Sequence, residues 1–99
     1  MVQINWTHQA KADLKEISDY ISKDSKRYAE FEVKRIRQRI EILKKFAFAG
    51  KINEEKGEEN IRELIERNYR IIYRIISEKR IDILTIHHSA RDLTQRNLF

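Results

Sequence analysis

The first half of the chain carries one short strand pattern followed by two helical patterns. Apolar and polar residues alternate over 2–6, as in a strand with one apolar face. Apolar residues then recur every three or four positions over about 8–22 and again over about 26–46, which predicts two amphipathic helices. The short polar segment 22–25 between them predicts that they form an antiparallel hairpin.

The second half carries strand patterns behind a polar loop. Residues 48–60 include both glycines of the chain and read as a loop. Segments 68–77 and 80–88 are rich in β-branched and aromatic residues, which favours strands, whereas 61–66 is mixed and taken alone could continue as a helix. Residues 77–79 suit a hairpin loop.

These elements predict a single α+β domain over residues 1–99. We expect a short N-terminal strand and a helical hairpin packed on one face of a small, mainly antiparallel β-sheet. The opposite face of the sheet need not be covered in a chain this short, so it is a candidate working surface.

A second apolar stripe lies beside the main seam of the second predicted helix. It is formed by Tyr28, Phe31, Ile42 and Phe46. The simpler interpretation is that these residues widen the buried face of the helix. The alternative is that they form an edge that binds a partner.

Charge is distributed unevenly around the net value of +5. Residues 26–45 carry 8 basic and 3 acidic side chains, residues 46–66 carry 3 and 6, and residues 67–99 carry 7 and 3. Basic segments attract phosphate backbones or an acidic protein partner, although a solvated helix face is the simpler interpretation of such a run.

Composition also excludes several classes of chemistry and of location. The chain has no Cys, so disulfides, thiolate zinc sites and a Cys nucleophile are excluded. Its N-terminus lacks the pattern of a secretory signal and no apolar run is long enough for a membrane helix, so we expect a cytoplasmic protein with no membrane partner. No phosphate-loop or dinucleotide-binding glycine pattern is present and the three His are poorly spaced, so we expect no cofactor and no metal.

The candidate chemistry lies on the last two predicted strands. Arg70 and Arg74 share one strand face, His87 and His88 end the next strand, and Arg91 follows. Only one of the two adjacent His can face the arginines, because neighbouring residues of a strand point to opposite sides. A His beside Arg side chains could act as acid or base in metal-independent RNA cleavage by the 2′-hydroxyl. The alternative is that the arginines form structural ion pairs with the nearby acidic residues Glu63, Glu66 or Asp82.

Several motifs along the chain carry a family resemblance. After Trp6 they read A-x-x-D-L-x-x-I-x-x-Y-I at residues 10–21, G-K-I-x-E-E at 50–55, I-R-E-L at 61–64, Y-R-I-I-Y-R-I at 69–75 and H-x-A-R-D-L at 88–93. In this order they resemble the RelE/ParE toxin superfamily of bacterial type II toxin–antitoxin modules, and most closely its ParE-like, plasmid-stabilisation branch. The resemblance implies the two-layer fold already predicted and a growth-inhibiting toxin that a cognate antitoxin neutralises.

The resemblance implies different sites for the two branches of this superfamily. In the branch that cleaves messenger RNA on the ribosome, Arg70 matches a residue that contacts the scissile phosphate and Arg91 matches a basic residue after the last strand. His88, rather than His87, is the nearest match to a catalytic His, and Glu54 or Glu55 loosely matches a loop Glu.

The RNA-cleaving branch often has a Tyr near the C-terminus, whereas Phe99 is the only aromatic residue after Tyr73 here. It also has a basic pair just before the Y-R strand, where this chain has Glu63 and Glu66. The resemblance therefore favours the other branch, whose members poison DNA gyrase. The alternatives are a ribosome-dependent endoribonuclease and a degenerate, non-toxic binding module.

The resemblance also gives the second apolar stripe a partner. Tyr28, Phe31, Ile42 and Phe46, together with Arg35 and Arg39, would suit an acidic, amphipathic segment of the antitoxin.

Overall fold

The computed structural model describes residues 2–88. Two helices, a 3-10 turn and five strands follow in the order β1 (Gln3–Trp6), α1 (His8–Ser22), α2 (Lys26–Glu41), the turn (Ile42–Lys44), β2 (Lys51–Ile52), β3 (Ile61–Glu66), β4 (Tyr69–Ser77) and β5 (Arg80–His88). The sequence predicted α1 and β5 with these bounds. Among the predicted site residues, Arg91 lies outside the described residues.

Two expectations about the middle of the chain were wrong. The second helix was predicted to run to residue 46, but α2 ends at Glu41 and a 3-10 turn follows. The loop predicted over 48–60 contains the short strand β2, which pairs with β3. Both differences arise because apolar periodicity marks burial, and a 3-10 turn or a two-residue strand can bury a side chain without adding a recognisable period.

Thr7 both starts α1 and ties it to the sheet. Its side chain accepts a hydrogen bond from the backbone N–H of Ala10 at 3.2 Å, which caps the helix. Its hydroxyl lies 2.6 Å from the backbone oxygen of Ile83, to which it donates. Ser25 caps α2 in the same way, by accepting from the N–H of Tyr28 at 3.1 Å.

The five strands form one sheet in the order β1-β5-β4-β3-β2. β1 lies parallel to β5, and all other neighbours are antiparallel. The two helices pack on one face of this sheet, so the predicted α+β architecture is confirmed. The main core between the layers includes Leu14, Ile36, Ile40, Leu43, Leu64, Ile71, Tyr73, Ile81 and Ile83.

The sheet face opposite the helices is not a bare surface. Ile61 and Ile72 on this face are fully buried and form a second apolar cluster with Leu84. The expectation of an uncovered working face is therefore wrong at its centre.

Asp13 joins α1 to β5 at a point where residues 2–88 provide no strand neighbour for β5 on that side. The pairing of β5 with β1 stops at Ile83. Beyond it, one carboxylate oxygen of the buried Asp13 accepts from the Thr85 hydroxyl at 2.5 Å and from the Ile86 N–H at 3.0 Å. The buried Asp13 carboxylate thus accepts the hydrogen bond from the Ile86 N–H that a neighbouring strand would otherwise accept. This matters because an unpaired buried N–H is costly.

Neither α1 nor α2 is long and apolar enough to cross a bilayer, and the same holds for every helix within residues 2–88.

Candidate functional site

Arg70 is held by two carboxylates. Its Nε lies 2.6 Å from an oxygen of Glu63, whose side chain is only 2% exposed, and its Nη2 lies 3.2 Å from an oxygen of Glu55. The hydrogen bond that Arg70 donates to Glu63 raises the pKa of Arg70 above its usual value, and the one that it donates to Glu55 makes a smaller contribution. The Nζ of Lys51 approaches the other oxygen of Glu63 at 4.0 Å. Of the two interpretations of Arg70, the structure therefore shows the ion pair with Glu63.

The two histidines lie on opposite faces of β5. His87 is aligned with Arg70 on the neighbouring strand and is 2% exposed. His88 is aligned with Tyr69, and the two rings meet edge to face with centroids 5.7 Å apart. The sequence left open which His shares the face of Arg70, and the structure shows that it is His87, because β4 and β5 pair in regular register at this end and side chains alternate. His88, the nearest match to a catalytic His in the family resemblance, lies on the opposite face.

Arg74 has a different partner from those expected. Its Nη2 lies 4.0 Å from a carboxylate oxygen of Glu58, in the loop before β3. Asp82, which is aligned with Arg74, instead accepts from the Nε of Arg80 at 2.8 Å. Sequence spacing could not show this, because the loop that carries Glu58 has no period that fixes its path.

One side of α2 carries two exposed aromatic rings and two half-buried arginines. Tyr28, Phe31, Arg35 and Arg39 fall within a sector of about 80° when successive residues are separated by about 100°. We call these four residues the α2 flank. The residues of α2 that pack on the sheet, such as Ile36 and Ile40, lie on a different side.

The apolar stripe predicted for the second helix divides into two parts. Tyr28, Phe31 and Phe46 are 49, 55 and 64% exposed, so the interpretation that they widen the buried face is wrong. Ile42 is partly buried and packs against the main core, so for this residue that interpretation is confirmed.

The α2 flank is held in place by ion pairs at its sides. The Arg35 guanidinium lies over the ring of Phe31, 4.6 Å from its centroid, and its Nη1 is 2.7 Å from an oxygen of the buried Glu32. The Nε of Arg39 lies 3.9 Å from an oxygen of Glu66 at the end of β3. The α2 flank therefore borders the turn between β3 and β4, and its cations are positioned before any partner arrives.

A second contact between an arginine and an exposed aromatic ring joins Arg62 to Phe48, and the sequence analysis missed it. The Arg62 guanidinium lies over the exposed ring of Phe48 at 4.7 Å and donates from Nη1 to the backbone oxygen of Gly50 at 3.0 Å.

The buried Tyr73 hydroxyl donates to the backbone oxygen of Ala47 at 2.8 Å and accepts from the N–H of Gly50 at 2.9 Å. Gly50 is required here, since a Cβ would lie 2.6 Å from the backbone oxygen of Glu63.

A groove of about 750 Å³ lies between α1 and the ends of β4 and β5. Its apolar lining includes Ile17, Tyr20 and Tyr69, and charged side chains and His88 surround it. Within residues 2–88, no group of three or more His, Asp or Glu side chains is arranged to hold a metal ion.

Comparison with known proteins identifies the family. The family model for the ParE toxin of the type II toxin–antitoxin system, parDE, matches residues 4–93. The chain belongs to the ParE toxin family. Its structure is also similar to a chain of the solved chromosomal ParDE TA system from P. aeruginosa, with a TM-score of 0.72 and 28% sequence identity over 89% of this chain and 96% of that one. No curated protein matches the sequence.

Membership of the ParE toxin family confirms the resemblance drawn from the motifs. The matched residues include Arg70, His87, His88 and the α2 flank. Asp13 of the motif A-x-x-D-L gains a role, because this ParE-family chain uses it to join α1 to β5.

Proposed function

We propose that this chain is a toxin that inhibits growth by binding and poisoning DNA gyrase, and that a cognate antitoxin neutralises it. The observation that carries the proposal is the match to the ParE toxin family over residues 4–93. Both partners imply a cytoplasmic protein.

The geometry around Arg70 supports gyrase binding over RNA cleavage. Cleavage requires a cation and an acid or base to converge on one phosphate. Arg70 is already engaged by Glu63 and Glu55, and His88 lies on the other face of the sheet. His87 does share the face of Arg70, but its side chain is buried. A role of Arg70, His88 and Arg91 in catalysis would apply only to the RNA-cleaving alternative.

The α2 flank supports the proposal of an antitoxin partner. Exposed aromatic rings beside arginines are typical of the centre of a protein interface. Its two arginines favour an acidic partner segment, and its rings favour one with an apolar side. We propose that the antitoxin also contacts Phe46 and Ile42, which follow the end of α2.

Growth and gyrase assays test the target. Expression of the chain without its antitoxin should arrest growth, and the purified protein should block supercoiling by purified gyrase. Toxin mixed with antitoxin beforehand is the matched control and should leave supercoiling intact. If gyrase stays fully active at a several-fold molar excess of toxin, the proposed target is wrong.

Primer extension on ribosome-bound message distinguishes the remaining candidates. We expect intact message after induction, because no described residue combines with Arg70 into an accessible acid–base pair. Cleaved message would favour the endoribonuclease, and normal growth with intact message and active gyrase would favour a non-toxic binding module.

A further inference from the structure

The outer edge of β3 is only partly covered. β2 pairs with Arg62 and Glu63 and goes no further, so the described residues leave positions 64–66 of β3 without a neighbouring strand on that side. The side chain of Ile65 is also 47% exposed. This exposed strand end lies directly beside the α2 flank, since Arg39 contacts Glu66.

The hydrogen-bond pattern shows which backbone groups face outward at this edge. The backbone oxygen of Asn60 accepts from the N–H of Ile75 on β4, and that of Ile61 accepts from the N–H of Asn53 on the other side, at 2.8 and 2.9 Å. In an antiparallel strand, the backbone N–H and C=O groups of successive residues point to alternate sides. The backbone groups of Ile61, Glu63 and Ile65 therefore all point away from β4. The N–H and C=O of Ile65 therefore face outward at the uncovered end of the edge, where they can pair with an added strand.

Arg67 follows this edge in an unfavourable backbone conformation. Its φ is +54°, in the left-handed region that glycine adopts without strain and arginine does not. Arg67 is exposed, so packing does not require a large side chain at this position. Arg67 and Asn68 form the two-residue turn between the paired residues Glu66 and Tyr69, and turns of this length use a positive φ. The chain therefore carries a guanidinium at a turn position that favours glycine.

Positive charge surrounds the exposed strand end. Arg67 lies just beyond it, Arg39 lies above it on α2, and Lys51 lies at its other end on β2. Glu66 and the buried Glu63 are the acidic residues of this part of β3, and both have cationic partners. The charge complementarity therefore favours an acidic segment, and the outward backbone groups favour an extended peptide.

We propose that an extended, acidic segment of the antitoxin adds to the outer edge of β3, pairing with the backbone of Ile65 and placing carboxylates against Arg67 and Arg39. This inference rests on the proposed antitoxin partner and specifies how it docks. Strand addition aligns the partner beside the α2 flank, so its apolar side chains reach Tyr28 and Phe31.

Substitution of Arg67 separates stability from binding. Arg67→Gly should raise the Tm of the free toxin by about 4 °C, because the strain is relieved. The same change should weaken binding of the antitoxin encoded by the adjacent gene by about tenfold. Arg67→Lys keeps the charge and serves as the control, with most of the affinity retained. A merely structural role of Arg67 would move the two measurements in the same direction.

Backbone substitution and amide exchange test the strand addition itself. Ile65→Pro removes the outward N–H and no bond to β4, so the fold should persist while antitoxin affinity falls at least tenfold. Ile65→Val is the matched control and should bind normally. In the wild-type protein, the Ile65 amide should exchange quickly when free and slowly in the complex, without relying on any variant.

The outcomes distinguish this inference from the proposed function. A complex that forms normally with Ile65→Pro, or that leaves the Ile65 amide fast, overturns strand addition while leaving the antitoxin partner intact. Failure of the wild-type chain to bind the antitoxin at all would overturn the proposed partner instead. If Arg67→Gly abolishes growth inhibition but not antitoxin binding, this edge contacts the target and the inference is wrong.

Discussion

Arg35 on the α2 flank and Arg70 on β4 are both paired with buried glutamates, but their surroundings differ. Arg35 lies over the exposed Phe31 ring at the molecular surface. Arg70 lies between Glu63 and the loop residue Glu55, next to the buried His87 in the strand register. The same residue type thus supports a candidate interface in one place and ties a loop to the sheet in the other.

This difference teaches that an arginine is better assigned by its neighbours than by its motif. Arg70 lies in Y-R-I-I-Y-R-I, one of the motifs that carry the family resemblance, yet its described contacts are internal. We therefore expect changes at buried polar contacts to lower stability, and changes on the α2 flank to lower partner affinity.

The largest effect is expected for Arg70→Ala. Among the described residues, the change leaves the buried Glu63 carboxylate with Lys51 at 4.0 Å as its remaining cation, and we expect a loss of about 3 kcal/mol in the free energy of unfolding. Denaturant unfolding measures this loss. Replacing both partners, as Arg70→Met with Glu63→Leu, should restore most of it. An unchanged stability in the single variant would show that the ion pair does not anchor this region.

Asp13→Ala should remove about 2 kcal/mol, because the Thr85 hydroxyl and the Ile86 N–H lose their shared acceptor in a buried site. Asp19→Ala is the matched control on the same helix. Asp19 pairs with Lys15 at the surface, so its loss should change stability by less than about 0.5 kcal/mol. Thermal unfolding of both variants compares them, and equal losses would contradict a special role for Asp13.

Phe31→Ala tests the α2 flank directly. We expect antitoxin affinity to fall by about 2 kcal/mol, or about thirtyfold, with stability nearly unchanged. Phe48→Ala is the control, since Phe48 is also exposed and also lies under an arginine, but it lies outside the α2 flank. Isothermal titration calorimetry measures both affinities, and an equal loss in the two variants would show that exposure alone, rather than position, matters.

The smallest effect is expected for Tyr73→Phe, which should lower stability by about 1 kcal/mol through the lost contacts with Ala47 and Gly50. Burial raises the pKa of Tyr73 above its ordinary value. The folded state therefore holds this proton more tightly than the unfolded chain, so stability falls as the pH rises above about 10. Unfolding measured between neutral and alkaline pH should show a shallower decline for the variant than for the wild type.

The sequence predicted the elements well where one side of an element is buried. α1 and β5 were predicted with their observed bounds, because their apolar positions repeat with the period of the element. The order of the motifs also identified the ParE family. The exposure of Phe31 and Phe46 could not be predicted, because their positions in the sequence do not show whether another element of the fold covers them.

The environment of the candidate residues was harder to predict than the elements that carry them. The choice between His87 and His88 depends on the register of β4 against β5, which contains irregularities further along the pair. The partners Glu55 and Glu58 lie in a loop whose path follows no period. Single residues in loops therefore define the site, and sequence pattern places them least well.

The parallel pairing of β1 with β5 has a consequence for how the protein forms during its synthesis. Asn5 and Asp82, which hydrogen-bond across these strands, are 77 residues apart in the chain. A ribosome that adds about 5–20 residues per second needs roughly 4–15 s to translate that interval. The helical hairpin is therefore made well before β5, and the five-stranded sheet that packs against it can be completed only after β5 has been translated.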